Sequence, residues 1–203
     1  GTGGTNLFYN SFGVSPATVT ENVGGNNFSN MSFTGTAAVA GMRVADGSGA
    51  TAPVMNVTNN TINNITGGSG LTAAMTYGFS GITSPSVVTV SGNTISNISG
   101  TGAVSAMAIA QCAMNMYKNQ IFNLSTSATT SVVSGIALTS GLNNRFYNNF
   151  ISDLRAPAGD STSDLIRAIN LTSTTATSSI GVYFNTIFLN ATSTGVNFST
   201  TGI

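Results

Sequence analysis

The sequence predicts an all-β chain wound as a parallel β-helix of about six coils, with no α-helical domain. Three observations carry this: an Asn-led motif that recurs, a second marker that alternates with it, and apolar residues spaced by two, the period of a strand. The full motif reads Asn60-Thr61-Ile62-Asn63-Asn64-Ile65. Variants begin at Asn93, Asn119 and Asn149, with weaker copies at Asn26 and Asn185. From position 26 to 60, 93, 119, 149 and 185 the steps are 34, 33, 26, 30 and 36 residues. A constant frame carrying loops of variable length gives such steps, whereas helical hairpin arrays keep a fixed one.

The second marker is a small residue followed by an apolar one, with another apolar residue two positions on. It appears at Gly41-Met42-Arg43-Val44, Ala106-Met107-Ala108-Ile109, Gly135-Ile136-Ala137-Leu138 and Ala168-Ile169-Asn170-Leu171. Gly78-Phe79 and Gly202-Ile203 read as partial copies. Before each leading Asn the period of two continues through Met55 and Val57, Val88 and Val90, Met114 and Met116, Phe146, then Ile180 and Val182. Those side chains are expected to face inward, and Thr58, Ser91, Tyr117, Tyr147 and Tyr183 outward. Each coil thus carries at least two strands, every strand pairing with its equivalent in the next coil.

In chain order, residues 6–12 form a strand of open register, since Asn10 precedes Asn26 by only 16 positions with no second marker between. The run from Asn6 to Asn10 is similar to the run from Gly181 to Asn185. Residues 36–44 carry the first clear marker strand, and 46–53 form a loop by their Gly and Pro content. Residues 55–65 hold the first full motif. The next coil uses 77–82 and 87–98, with Ser84-Pro85-Ser86 as its corner. Residues 103–124 make the tightest coil, 132–154 the following one, 155–164 a charged solvent loop, and 165–189 the last. The whole of 1–203 reads as one β-helix segment, its first ~25 residues of uncertain register, cut mid-coil at both ends from a longer solenoid or filament repeat.

Asn60, Asn93, Asn119, Asn149 and Asn185 are expected to stack as a ladder, each amide donating to one neighbour and accepting from the other. Asn also tolerates the positive φ that sharp corners demand.

Composition bounds the function. Apolar residues make up 41% of the chain and charged residues 5%, five basic against five acidic, with neither His nor Trp. That is enough apolar content for a continuous narrow core, and too little charge to draw the chain to nucleic acid or to an anionic membrane. No apolar run approaches the ~20 residues that span a bilayer, so no membrane insertion is expected. Cys112 is the sole cysteine, which excludes an internal disulfide and thiolate metal clusters and suits a small buried filler.

No catalytic, cofactor or metal residues are assigned, and the chain is not expected to be an enzyme. Carbohydrate-cleaving β-helices need carboxylates projecting together from adjacent coils. The carboxylates here are Glu21, Asp46, Asp153, Asp160 and Asp164, and only the last three are near one another in sequence. Asp153 stands where other coils have Asn64, Asn97 and Asn123, so it reads as a turn residue; a Ca²⁺ site with Asp160 and Asp164 lacks dense acidic spacing. Tyr117, Tyr147 and Tyr183, with Lys118 alongside, form a candidate contact stripe, for sugar stacking or for a partner, against the plainer reading of cross-strand packing. The column Thr61, Thr94, Gln120, Phe150 and Thr186 raises ice binding, and its interruptions weaken it. The Asn-x-Ser/Thr triplets, such as Asn64-Ile65-Thr66, are products of the repeat.

The stretches 147–158, 166–174 and 182–195, from Tyr147-Asn148-Asn149-Phe150-Ile151-Ser152-Asp153-Leu154 to Val182-Tyr183-Phe184-Asn185-Thr186-Ile187, resemble repeats of large secreted right-handed β-helix cell-surface proteins of Bacteroidota, which typically leave the cell by the type IX route. The resemblance is close over 130–203, looser over 50–130 and weak before 50. It implies the right-handed form and an extracellular or cell-surface location, and brings no catalytic residues. It also makes Ser161, in Asp160-Ser161-Thr162, a candidate O-glycosylation acceptor. The C-terminal sorting domain of those proteins is not in this sequence.

The expected role is mechanical: a stiff stalk, adhesin shaft or filament subunit joined end to end or laterally. Its partners would be copies of itself or flanking β-helix coils, with a surface polysaccharide as a further partner. The alternatives are a carbohydrate-binding or carbohydrate-cleaving β-helix and, behind them, an ice-binding protein.

Overall fold

The computed structural model describes residues 4–12, 20–46, 54–78, 87–110 and 113–203. Cys112, Phe79, the corner at 84–86 and most of the loop at 46–53 lie outside the described residues. The described chain holds 20 strands and no α-helix. They fall into three parallel sheets in strict rotation. The first comprises β1 (Thr5–Phe12), β4 (Val39–Asp46), β7 (Thr72–Gly78), β10 (Val104–Ala110), β13 (Val133–Leu138), β17 (Ile166–Leu171) and β20 (Thr200–Thr201). The second comprises β2 (Thr20–Gly24), β5 (Val54–Thr58), β8 (Val87–Ser91), β11 (Ala113–Tyr117), β14 (Asn143–Tyr147) and β18 (Ser179–Tyr183). The third comprises β3 (Asn27–Ser32), β6 (Thr61–Thr66), β9 (Thr94–Gly100), β12 (Gln120–Thr126), β15 (Phe150–Ser152) and β19 (Thr186–Phe188), with β16 (Leu154–Arg155) also paired to β12. Every strand pairs with its equivalent one coil away, so the chain is a β-solenoid, as its periodicity predicts.

Each coil contributes three strands, because the leading Asn is itself a corner that divides the Asn motif from the apolar pair before it. Residues 55–65, which read as one stretch, split there into β5 and β6. One local expectation is corrected and one open register is filled. The marker of the coil containing Gly78 is Ala74-Met75, not Gly78-Phe79: Met75 lies between Met42 and Met107 in register. The strand at 6–12 joins the first sheet, with Phe8 opposite Met42 and Asn10 opposite Val44, so its likeness to 181–185 in the second sheet is coincidental. Gly202 is in step, since its carbonyl accepts the Ile169 N–H at 3.0 Å.

The small residue of the second marker has a packing reason. A Cβ at Gly135 would lie 2.8 Å from Ile151 Cγ2 and 2.6 Å from the Ala168 carbonyl oxygen, and one at Gly41 would lie 2.6 Å from Ile65 Cδ1. The third-sheet isoleucines therefore press against the first-sheet backbone, so that even an Ala Cβ would collide at Gly41 and Gly135, while the coils of Ala74, Ala106 and Ala168 leave room for one methyl and no more.

The interior is a set of columns parallel to the long axis. Ile62, Ile95, Ile121 and Ile151 form one, Ile65, Ile98, Leu124 and Leu154 another, and Met42, Met75, Met107, Ile136 and Ile169 a third, all essentially inaccessible to solvent. Polar residues interrupt the columns at three places. Asn10 donates to Glu21 in the first coil, where later coils have Val44 and Met55. Asn144, between Met114 and Ile180, is fully buried with neither amide atom hydrogen-bonded. Thr72 sits between Val39 and Val104 with its hydroxyl unpartnered.

Thr72 offers a stabilising substitution. Val has the same shape, matches both neighbours and removes a buried hydroxyl that has exchanged water for nothing. Thr72→Val is expected to raise stability by about 1 kcal/mol, read as a higher denaturant midpoint at unchanged slope. A lower midpoint would mean that the hydroxyl has a partner.

Candidate functional site: the amide ladder and the outer faces

The corner between the second and third sheets carries the most regular polar structure in the molecule. The backbone N–H and the Nδ2 of Asn60 both donate to Asn93 Oδ1, at 2.9 and 3.1 Å. Asn93 repeats this on Asn119 at 3.0 and 2.9 Å, Asn119 on Asn149 at 3.2 and 2.9 Å, and Asn149 on Asn185 at 3.0 and 2.9 Å. Asn26 heads the series by donating to Asn60. Each Nδ2 has a second proton, which reaches back to a carbonyl of the preceding coil. Those acceptors are Val23, Val57, Val90, Met116 and Phe146 for Asn60, Asn93, Asn119, Asn149 and Asn185. One side chain thus satisfies a turn and ties three coils together, and from Asn60 to Asn149 it does so out of water.

The corner's strain falls elsewhere than on the ladder. Positive φ belongs to the preceding residue, namely Gly25, Asn59, Gly92, Lys118, Asn148 and Phe184. A second such column runs through Asn30, Asn64, Asn97, Asn123 and Asp153, within the third sheet. The ladder residues are therefore selected for hydrogen bonding, and their neighbours for backbone conformation. Asp153 is in that second column, as its alignment with Asn64, Asn97 and Asn123 predicts.

The acidic residues do not converge. Among the described residues no three of the His, Cys, Asp and Glu side chains gather closely enough to hold a metal ion. Asp153 pairs with Arg155 at 3.3 Å, with both side chains about half exposed. Asp160 accepts the Asn197 backbone N–H at 3.0 Å and its Nδ2 at 3.1 Å, tying the loop at 155–164 to the next coil. Asp164 accepts hydrogen bonds from the Ser199 and Thr201 hydroxyls. Ser161 is half-buried, its backbone N–H on the Asn197 carbonyl and its Oγ accepting the Ser163 N–H.

The hydroxyl bonds from Ser199 and then Thr201, helped by Arg167, hold the Asp164 carboxyl below its usual range, against a smaller opposing effect of desolvation. A lowered folded value means the contribution is complete above the unfolded pKa of ~3.9 and is lost as pH falls through the folded one. In an NMR pH titration the Ser199 and Thr201 resonances are therefore expected to move with a midpoint below ~3.9, and to lose that step in Asp164→Asn. A midpoint at or above that value would contradict the hydrogen-bond assignment.

No family model, curated protein or solved structure matches the chain. Its outer faces carry what remains of the candidate chemistry. Tyr117 and Tyr147 stack across β11 and β14, with centroids 4.9 Å apart and planes 10° from parallel. Tyr183 follows in register on β18, but its ring lies over Gly181, where an added Cβ would stand 2.4 Å from it. The stripe is thus a stacked pair plus a ring turned along its own strand. The column Thr61, Thr94, Gln120, Phe150 and Thr186 is in register on the third sheet, with half-exposed Phe150 breaking its row of polar side chains.

Sequence reading overlooked Arg145 and Phe184. Arg145 breaks a column of small polar residues, Asn56, Thr89 and Asn115, and that break was the available signal. Phe184 takes a corner position otherwise held by Asn, Gly or Lys, and is 87% exposed.

Proposed function

We propose that the chain serves as a rigid, non-enzymatic segment of an extracellular solenoid: a stalk, an adhesin shaft or a filament subunit. The observation that carries this reading is the continuity of the amide ladder, in which every coil from Asn26 to Asn185 is bonded to the next by two donors from a single residue. Bending or shearing between coils must break those bonds together with the parallel backbone pairing on three sides, which suits load-bearing. The resemblance to exported repeats supports the location.

Ile180, Val182 and Ile187 are only partly buried, and β18 and β19 present outer edges to a further coil. A coil of another copy, or of the same chain, would cover both. Negative-stain images of concentrated protein are expected to show rods or fibres whose width matches one solenoid. Compact, non-associating particles at every concentration would remove the filament reading, and a polysaccharide solution losing viscosity in the protein's presence would remove the non-enzymatic one.

A further inference from the structure

We propose that the outer face of the second sheet, around Tyr117, Lys118, Arg145, Tyr147, Tyr183 and Phe184, binds an acidic polysaccharide laid along the solenoid axis. The inference is independent of the stalk reading, which concerns how coils join. The chain has five basic and five acidic residues, and two of the basic ones, Lys118 and Arg145, lie exposed on this face. Among the described residues the sole ion pair joins Arg155 to Asp153, so neither Lys118 nor Arg145 has a carboxylate of its own. Both are held in place by the fold. Arg145 leaves β14 two residues before Tyr147 on the same face, and Lys118 is fixed at positive φ directly after Tyr117.

The second component is aromatic. The stacked pair of Tyr117 and Tyr147 sits between the two cations, and on the next coil Tyr183 and Phe184 are 51% and 87% exposed. Gly181 is the register partner of Arg145, and its missing side chain lets the Tyr183 ring lie flat on the sheet in the next coil. Within the stacked pair each ring covers one face of the other, so the open aromatic surface is mainly that of Tyr183 and Phe184, and aromatic faces, which carry negative charge density, meet the weakly positive C–H faces of sugar rings. Unpaired cations beside them call for an anion on the same ligand. The Tyr117, Tyr147 and Tyr183 rings recur on three successive coils at ~4.8 Å per coil, with one cation on each of the first two, which favours a linear polymer over a compact ligand. Carboxylated sugars supply both features, one charge and one apolar face per residue.

Two other polyanions share part of this chemistry and are disfavoured by the charge count. Single-stranded nucleic acid and anionic membranes both draw on clusters of several cations, and this face has two on a chain of zero net charge. The test is binding of the whole chain to polygalacturonate, with neutral dextran, a thymidine homopolymer and phosphatidylserine vesicles as parallel arms. Polygalacturonate is expected to bind, more weakly as salt rises, and dextran not to bind. Arg145→Ala and Lys118→Gly, the latter suited to positive φ, are each expected to weaken binding roughly tenfold with thermal stability unchanged, the loss of one charged hydrogen bond. No binding to polygalacturonate, equal binding to dextran, tighter binding to the homopolymer or the vesicles, or full binding by both variants would overturn the proposal.

Discussion

Asn119→Asp is expected to destabilise the solenoid by about 3–5 kcal/mol at neutral pH, although the two side chains differ by one group. Asn119 is fully buried. Its Oδ1 accepts from the Asn93 backbone N–H and Nδ2, and an aspartate oxygen would keep those bonds. Its Nδ2 donates to the Val90 carbonyl at 3.0 Å and to Asn149 Oδ1 at 2.9 Å. An oxygen there turns both bonds into acceptor–acceptor contacts and places a charge at a position shielded from water. Asn119→Ala removes the same bonds without the charge, and about 1–3 kcal/mol is expected for it. Asn56→Ala supplies a control: its Nδ2 also donates to an Asn one coil away, Asn22, but in solvent, and a change within about 0.5 kcal/mol is expected. In thermal melts the Asp variant should lose roughly 6–20 °C for a chain of this size. It should recover partly in acid, where a protonated carboxyl regains one donor. An Asp variant as stable as the parent would mean that the ladder is a row of turn residues with no cooperative role.

The sequence made this ladder legible because a solenoid repeats its chemistry, and any side chain with a partner one coil away reappears at a readable interval. The inner columns were legible for the same reason, as apolar residues spaced by two can face a common core only in extended chain. What the repeat does not encode was lost. The corner at Asn60 lies in the short polar run Thr58-Asn59-Asn60-Thr61 between apolar residues on both sides, so residues 55–65 read as one stretch and each coil as at least two strands rather than three. The strand at 6–12 could be given no register, because its local composition imitates residues 181–185 while its partner, β4, is set by the path of the whole first coil. Conformation was separated from hydrogen bonding only in three dimensions: Asn59 and Asn60 are identical residues with different tasks, one at φ 56° and the other bonded to Asn93. Arg145 and Phe184 were passed over because they depart from the repeat, and departures are where a surface acquires a use of its own.

The corner between the third and first sheets makes the opposite demand, for the absence of a side chain. A Cβ at Gly102 would lie 2.2 Å from the Ser69 carbonyl oxygen, one at Gly68 1.9 Å from that of Gly35, and one at Gly195 2.1 Å from that of Gly159. None of the three has positive φ, so the requirement is close approach of backbone to backbone rather than conformation. The carbonyl in the way cannot swing aside, because the same corner is fixed by Thr101 N–H on the Gly68 oxygen at 3.1 Å and by Thr126 Oγ1 on the Gly102 oxygen at 2.6 Å. Gly102→Ala must therefore spread two coils, and about 3 kcal/mol of destabilisation is expected, more for Gly102→Val. Gly78→Ala makes the comparison, since an added Cβ there meets nothing within 4 Å and its φ is not positive; stability should change by no more than about 0.5 kcal/mol. Hydrogen exchange should show faster opening of the amides of Thr101 and Ser127, which cross this corner, in the Gly102 variant alone. If Gly102→Ala and Gly78→Ala melt together, the coils are spaced more widely at this corner than their backbone contacts require, and the tight stacking of the solenoid must be held by the amide ladder at the other end of the third sheet.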